Sequence, residues 1–290
     1  MAQFAISTSS TADLPENYYE DHDIGKLCFT FQFHTHEYDD DFARSMPASV
    51  FYNRLRNGEV SHTSMVNAGR FEAYFKSILD SGRSLLHIEF SSALSGSYQC
   101  AAAVAKKLNA QYEDVRVVVI DSLSASLGLG LIVDKARRFR DSGKTLEETA
   151  AWVEENKLRF IHWFTVTDLD YLKRGGRIKP SSAFFGNMLK IKPVMDMDDR
   201  GRLIPLYKAR GRKKSIRSLF EHVEEDIVES ENDCIFISHC DCEEDAQKLK
   251  NMILERWPDL SVLINTVGAV IGSHAGPGTL AVFFIGNKRE

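Results

Sequence analysis

Five short segments rich in serine and threonine are the parts of this sequence best suited to polar chemistry. They cover residues 7–10, 61–64, 91–97, 122–126 and 273–279, and three of them follow predicted strands. Loops at the carboxyl ends of strands in an open α/β sheet meet at one crevice, where ligands bind. Hydroxyl groups and free backbone N–H groups at the following helix starts favour an anion or a strongly polar group. Each segment alone is better explained as a helix cap, but five together predict a shared site.

The five segments contain no lysine or arginine, which bears on the kind of anion. A phosphate or nucleotide would normally draw a basic side chain or a metal into its site, so one carboxylate fits better. Ser95, followed by Gly96 at a predicted helix start, is placed for close approach. Thr63 and His274 are the other natural donors, and a charged His274 would add Coulomb attraction. His274 could instead make a structural hydrogen bond in a turn rich in glycine and proline.

Alternating strands and helices must position these segments. The first part of the chain predicts a mostly parallel sheet flanked by helices, as in α/β proteins. Later the pattern changes, because residues 190–197 and 202–209 flank a turn and predict an antiparallel hairpin. We therefore expect an α/β domain over residues 1–160 and an α+β domain with a mixed sheet over residues 161–290. The predicted strands are 4–7, 26–33, 84–90, 116–121, 159–166, 190–197, 202–209, 233–238, 261–267 and 279–284.

Two helices have recognisable starts. Asn67 is expected to cap a helix that ends at Gly82, and Thr145 with Glu148 forms a capping-box pattern. In both cases the following residues place apolar side chains on one helix face.

Charge and cysteine content narrow the class of protein. The 290 residues carry a net charge of −5, which argues against a general nucleic-acid binder. The sequence lacks a secretory signal pattern and any apolar run near the ~20 residues that span a bilayer. The five cysteines are an odd, scattered set typical of reduced thiols, so a cytoplasmic location is expected.

An ordered set of motifs resembles the DegV family of bacterial fatty-acid-binding proteins. The resemblance spans essentially the whole chain. Its motifs are STSSTADL at 7–14, TS at 63–64, SSALSGSYQ at 91–99, Asp121-Ser122 with Ser126 and Gly128, DLDYLKRGGRI at 168–178, LKIKP at 189–193 and HAGPG at 274–278.

The resemblance implies a two-domain protein with one long-chain fatty acid between the domains and no cofactor or metal. Thr63, Ser95 and His274 are expected to bind the carboxylate, supported by Ser64, Ser92, Gly96 and Gly276. Such proteins resemble the binding subunit of bacterial fatty acid kinase. A separate ATP-dependent subunit phosphorylates the bound acid, and the acyl phosphate enters phospholipid synthesis. This chain departs from the usual pattern at Met65, Ser97 and Ala275, which leaves the preferred acyl chain open.

A fatty acid also needs an apolar tunnel, since each buried methylene contributes roughly 0.8 kcal/mol. The candidates, each of which could equally be ordinary core, are Met65, Phe184, Phe185, Met188, Leu189, Val270 and Ile271.

Seven basic residues form either a solvated surface or a docking patch for an acidic partner: Lys173, Arg174, Arg177, Arg210, Arg212, Lys213 and Lys214. The resemblance favours docking of the kinase subunit for Arg174, Arg177 and Arg210.

Parts of the sequence are also compatible with functions other than fatty-acid binding. A serine hydrolase using Ser95 and His274 is the main alternative, although the strained Gly-x-Ser-x-Gly turn is missing. A lipid sensor without a kinase partner is another. The Cys240–Cys242 pair permits metal binding, but its spacing favours free thiols. His34 and His36 are expected on one face of a strand, which also permits metal binding, but the acidic residues that follow favour a solvated turn.

Overall fold

The computed structural model describes residues 4–178 and 191–289. In these ranges the strands are β1 Phe4–Ser9, β2 Ile24–Leu27, β3 Thr30–Phe33, β4 His36–Asp39, β5 Ser61–Ser64, β6 Ser84–Glu89, β7 Val117–Asp121, β8 Phe160–Thr165, β9 Ile191–Met197, β10 Leu203–Arg210, β11 Cys234–His239, β12 Ser261–Thr266 and β13 Leu280–Ile285. The helices are α1 Glu16–Asp21, α2 Ala48–Arg56, α3 Ala68–Asp80, α4 Ser97–Asn109, α5 Leu127–Asp141, α6 Leu146–Asn156, α7 Asp170–Arg174, α8 Arg212–Asp226, α9 Glu243–Arg256 and α10 Ala269–Ala275.

The strands form three sheets. A four-stranded parallel sheet has the order β2-β1-β6-β7. A six-stranded sheet has the order β10-β9-β8-β13-β11-β12, in which only the β11–β12 pair is parallel. A small antiparallel sheet has the order β4-β3-β5. The predicted fold class, a parallel sheet flanked by helices plus a second mixed sheet, is confirmed. The division at residue 160 stays a prediction, and β8 begins there.

Helix α5 joins the two large sheets. It contacts β1 and β6 of the parallel sheet and β8, β11 and β13 of the six-stranded sheet. Its first eight residues are all buried: the first seven are apolar residues or glycine, and the eighth, Asp134, forms ion pairs with Arg137 and Arg138. Gly128 permits the close approach, because a Cβ atom there would lie 2.1 Å from His162 Nε2.

The predicted helix starts are confirmed. The Asn67 side chain accepts the Arg70 N–H, and α3 ends at Asp80, two residues before Gly82, which adopts a positive φ of 77°. Thr145 and Glu148 form the complete capping box of α6.

Two local predictions were wrong. Residues 26–33 are not one strand, because β2 and β3 belong to different sheets. Phe29 lies between them, and its N–H donates to Ser10 Oγ while its carbonyl accepts the Asp40 N–H. His34 and His36 do not share one strand face, since His34 adopts a φ of 51° in the turn between β3 and β4.

Helices of membrane-crossing length and apolarity do not occur in the described ranges. All five cysteines lie in those ranges and are free thiols.

Candidate functional site

A cavity of about 280 Å³ lies between the six-stranded sheet and residues of the first part of the chain. On the sheet side Ser238, Ala281 and Phe164 are neighbours on β11, β13 and β8, and the small Ala281 leaves room above the sheet. The wall is mostly apolar and receives residues from both parts of the chain, including Phe90, Leu94, Phe164, Met197, Ile271 and Phe283.

Thr63 and His274 meet in this wall. The Thr63 Oγ1 and His274 Nε2 atoms are 2.8 Å apart, which is hydrogen-bond distance. Thr63 comes from β5 and not from a loop as predicted. Its side chain points inward because side chains alternate along a strand, so His62 and Ser64 are the exposed residues. His274 comes from the last turn of α10.

His274 is a neutral imidazole near pH 7. Burial, followed by the positive charges of Arg177 and His62, lowers its pKa from 6.5 to about 4. Its Nδ1 atom is buried and has no hydrogen-bond partner among the described residues. The ring can therefore donate one hydrogen bond to an anion, and a bound negative charge would favour its protonation.

Ser95 and Gly96 form a second part of the wall at the start of α4. The Ser95 Oγ atom accepts the Ser97 N–H at 3.2 Å, and its own hydrogen is free to donate to a ligand. Met65 covers Gly96, since its sulfur would lie 3.4 Å from a Cβ atom there. Met65 remains 44% exposed, which places it at the boundary between the cavity and solvent.

Arg177 lines the cavity, although the sequence suggested only a docking role for it. Its Nε atom donates to the carbonyl of Leu94, the residue before Ser95, and its Nη1 atom donates to the carbonyl of Gly175. Gly175 packs on the His274 ring, where a Cβ atom would lie 2.1 Å from Nδ1. Arg177 thus contacts the residue before Ser95 and, through Gly175, adjoins His274. Together with Thr63, these polar residues line the same cavity and are called its polar patch below.

Arg177 supplies the cation that the five hydroxyl segments lack. Burial lowers its pKa from the ordinary value of 12.5, but a guanidinium stays charged in proteins. Sequence proximity could not reveal this role, because Arg177 lies more than eighty residues from Leu94. The one local sign in the sequence was the neighbouring pair Gly175 and Gly176, which allows a close approach of the backbone to another part of the chain.

The remaining predicted residues have mixed placements. Val270 and Ile271 line the cavity, whereas Phe184, Phe185, Met188 and Leu189 lie outside the described residues. The Ser92 N–H donates to Asp121, and Gly276 adopts a φ of 77° against the Tyr171 ring. Arg174 and Arg210 are both exposed.

The first hydroxyl segment does not reach the cavity. Ser7, Thr8 and Ser9 belong to β1 and are fully buried. Ser7 Oγ lies 2.8 Å from His87 Nδ1, and His87 Nε2 lies 3.0 Å from Glu89 Oε2. This Ser–His–Glu arrangement is wholly buried and lines none of the described cavities, so its role is to satisfy polar groups inside the parallel sheet.

Ser126 and Ser238 add hydroxyl groups elsewhere on the cavity wall. Ser126 Oγ donates to Asp13 Oδ2 at 2.6 Å and lies 3.0 Å from Ser238 Oγ. Burial raises the pKa of Asp13 to about 8, and nearby Asp40 adds to the rise. Ser126 adopts a φ of 52°, which is strained for a residue other than glycine. The sequence marked Ser126 but gave no sign of its link to Asp13.

The described residues contain no cluster of three or more histidine, cysteine, aspartate or glutamate side chains arranged to hold a metal ion.

Comparison with known proteins gives a consistent picture. The sequence model of the DegV family, described as uncharacterised proteins, matches residues 3–287. A DegV domain-containing protein of Clostridium perfringens is 43% identical over 290 residues, covering 100% of both chains. A Thermotoga maritima protein described as a fatty acid-binding protein is 32% identical over 279 residues, covering 95% of each chain.

The fold is also similar to solved structures. A fatty-acid-binding DegV family protein from Thermus thermophilus superimposes with a TM-score of 0.88 at 27% identity. The match covers 98% of this chain and 100% of the other.

Proposed function

The chain belongs to the DegV family, and from this membership and the cavity we propose that it binds a long-chain fatty acid by its carboxylate. In this proposal Thr63, Ser95 and His274 donate hydrogen bonds to the carboxylate, with the His274 ring protonated so that its Nε2–H donates to Thr63 Oγ1 and the Thr63 hydroxyl hydrogen points to the ligand. Arg177 contributes the opposing charge. The acyl chain lies in the apolar cavity, between the predicted domains 1–160 and 161–290.

The observation that carries the proposal is a compact polar patch opening onto an apolar wall. The patch offers hydroxyl and imidazole donors with one guanidinium, which matches a single negative charge better than a phosphate cluster. The cavity of about 280 Å³ is nearly twice the ~150 Å³ of an engineered apolar cavity that holds benzene. Each methylene buried there contributes roughly 0.8 kcal/mol, so the tail would supply most of the affinity.

Other residues support the ligand in this proposal. Ser64, Ser92, Gly96 and Gly276 shape the segments around the carboxylate. Val270, Ile271 and Met65 contact the tail, and so would Phe184, Phe185, Met188 and Leu189, which lie outside the described residues.

Native mass spectrometry of the purified protein tests the proposal directly. We expect a one-to-one adduct under gentle conditions and a free long-chain fatty acid after denaturing release. A protein that carries no fatty acid and takes up none on addition would contradict the proposal.

We further propose that the protein presents the bound acid to a separate ATP-dependent kinase and performs no chemistry itself. Arg174 and Arg210 are exposed and available to an acidic partner surface. Arg177 is half-buried in the wall, so we assign it to the head group rather than to docking. We also propose a location in the bacterial cytoplasm, where an ATP-using partner would act and acyl phosphate would enter phospholipid synthesis.

The test of presentation uses the kinase subunit from the same organism, ATP and fatty-acid-loaded protein. We expect acyl phosphate to form with wild type and to fall with Arg174→Ala or Arg210→Ala while fatty-acid binding is unchanged. Failure of wild type to support the reaction would favour a lipid sensor instead.

Hydrolase chemistry receives less support from the geometry. A catalytic histidine needs a group that orients it, and His274 Nδ1 has no partner among the described residues. Incubation with p-nitrophenyl esters should give no turnover that depends on Ser95. Hydrolysis by wild type that disappears in Ser95→Ala would contradict a purely binding role.

A further inference from the structure

Helix α10 carries the proposed carboxylate donor but is too short to hold itself in place. It contains 7 residues, of which Val270, Ile271, His274 and Ala275 line the cavity. Isolated helices shorter than about 12 residues are marginal in water, so tertiary contacts must fix this one. The position of His274 therefore depends on what binds the ends and sides of α10.

Two buried carboxyl groups hold the start of this helix. Asp13 Oδ1 accepts the Gly268 N–H at 2.9 Å, and Asp40 Oδ1 accepts the Ala269 N–H at 2.9 Å. Gly268 separates them, and a Cβ atom there would lie 2.9 Å from Asp40 and 3.0 Å from Asp13. Only a residue without a side chain lets both carboxyl groups reach the helix. Asp13 follows β1 and Asp40 follows β4, so distant segments converge on one helix start.

Two further contacts complete the support of α10. Tyr52 donates to the Val267 carbonyl at 2.8 Å, just before the helix. Ser273 Oγ donates to Ser61 Oγ at 2.8 Å, which ties the helix to β5, the strand that carries Thr63. The Thr63–His274 pair is thus aligned by α10 from one side and by β5 from the other.

Asp13 also reaches the opposite part of the wall. Its Oδ2 atom accepts from Ser126, whose oxygen lies 3.0 Å from Ser238 Oγ. One carboxyl group therefore bonds both to the start of α10 and to a hydroxyl pair of the cavity.

Burying two carboxyl groups opposes folding, and a neutral side chain would cap a helix without that penalty. Burial raises the pKa of Asp40 to about 6, in addition to the rise at Asp13. Asp40 is 5% exposed and Asp13 is 4% exposed. Groups kept in such an environment are often tied to function.

We propose that Asp13 and Asp40 are positioning residues of the carboxylate site, which hold α10 so that His274 meets Thr63 and the ligand. They touch neither the carboxylate nor the tail, and they act through His274. This inference rests on the proposed fatty-acid binding.

The first test compares fatty-acid affinity in Asp13→Ala and Asp40→Ala with wild type. Removing a helix cap releases the start of α10, and we expect affinity to fall about tenfold in each variant. Asp39→Ala is the matched control, because Asp39 is exposed and pairs with Arg70; its affinity should be unchanged. Asp13→Asn keeps an acceptor for the Gly268 N–H and should bind nearly as tightly as wild type, and Asp40→Ala carries the test if Asp13→Ala does not fold.

The second test separates positioning from general stability. In a His274→Ala background, Asp13→Ala and Asp40→Ala should no longer alter affinity. In the single variants, the NMR titration midpoint of His274 should rise from about 4 toward its ordinary 6.5 as the ring leaves its buried position. Equal losses of affinity in both backgrounds, with an unmoved His274 titration, would overturn the inference. A wild-type protein that binds no fatty acid would instead contradict the proposed function itself.

Discussion

Replacing Thr63 with valine tests the carboxylate site with the least change of shape. The substitution exchanges a hydroxyl for a methyl group and keeps the β-branched side chain that suits β5. It removes the hydrogen bond to His274 Nε2, which spans 2.8 Å, and the proposed bond to the ligand. A hydrogen bond to a charged group contributes about 1.5–3 kcal/mol, so affinity should fall about 10- to 100-fold.

The loss should be the same for every acyl chain length, because the tail contacts are untouched. Displacement of a fluorescent fatty acid by unlabelled acids of increasing length measures this in one series. Thr35→Val serves as the control, since Thr35 is exposed in the turn between β3 and β4. A folded Thr63→Val protein that binds within twofold of wild type would refute the assignment of Thr63. A loss confined to long chains would point to the tail instead.

Three further outcomes follow from the cavity and its charged groups. Ala281→Leu adds three carbon atoms to the sheet side of the wall and should weaken the longest acids by about 2 kcal/mol while sparing short ones, as the same displacement series will show. Dodecanesulfonate keeps a constant charge, so it reports on the protein's titration alone. Its affinity should rise as pH falls from about 7 to 5, because a bound anion raises the pKa of His274 above 4. The His274→Gln variant should abolish this rise in affinity. The pKa of Asp13 in the folded protein, about 8, exceeds its ordinary value of 3.8. The contribution of Asp13 to the free energy of unfolding is therefore fully present below pH 3.8 and is lost as the pH rises toward 8. Urea unfolding should show a decline of up to about 1.4 kcal/mol per pH unit that is shallower in Asp13→Asn.

Local signals in the sequence were reliable where the structure is decided locally. The Asn67 cap and the Thr145–Glu148 capping box involve residues three apart, and both helices start as predicted. The β9–β10 hairpin was also visible, because its two strands are joined by a short turn. The resemblance to a family identified the fold class as a whole.

Features that depend on distant contacts escaped prediction. The hydroxyl groups of β1 were predicted to belong to a ligand-binding loop, but two of them form hydrogen bonds with His87 and Glu89 of β6 inside the sheet. The sequence predicted a surface position for Arg177, whereas in the structure it lines the cavity and donates hydrogen bonds to the carbonyls of Leu94 and Gly175. The distant backbone groups that a side chain contacts in the fold cannot be predicted from composition and residue spacing.

Asp13 illustrates the same limit more sharply. The sequence marked it only as part of the STSSTADL motif at 7–14. In the fold it bonds to Gly268, 255 residues away along the chain. Only the assembled chain brings those groups together.

The location of β13 has a consequence for biosynthesis. Leu280–Ile285 is translated after the other strands, yet it fills an interior position between β8 and β11. While a ribosome is still making the segment, those two neighbours have open edges that invite wrong pairing. Ala281 and Phe283 arrive with β13, so a nascent polypeptide has no finished pocket until this strand emerges and inserts. Early termination would therefore yield an aggregation-prone product rather than a weak binder.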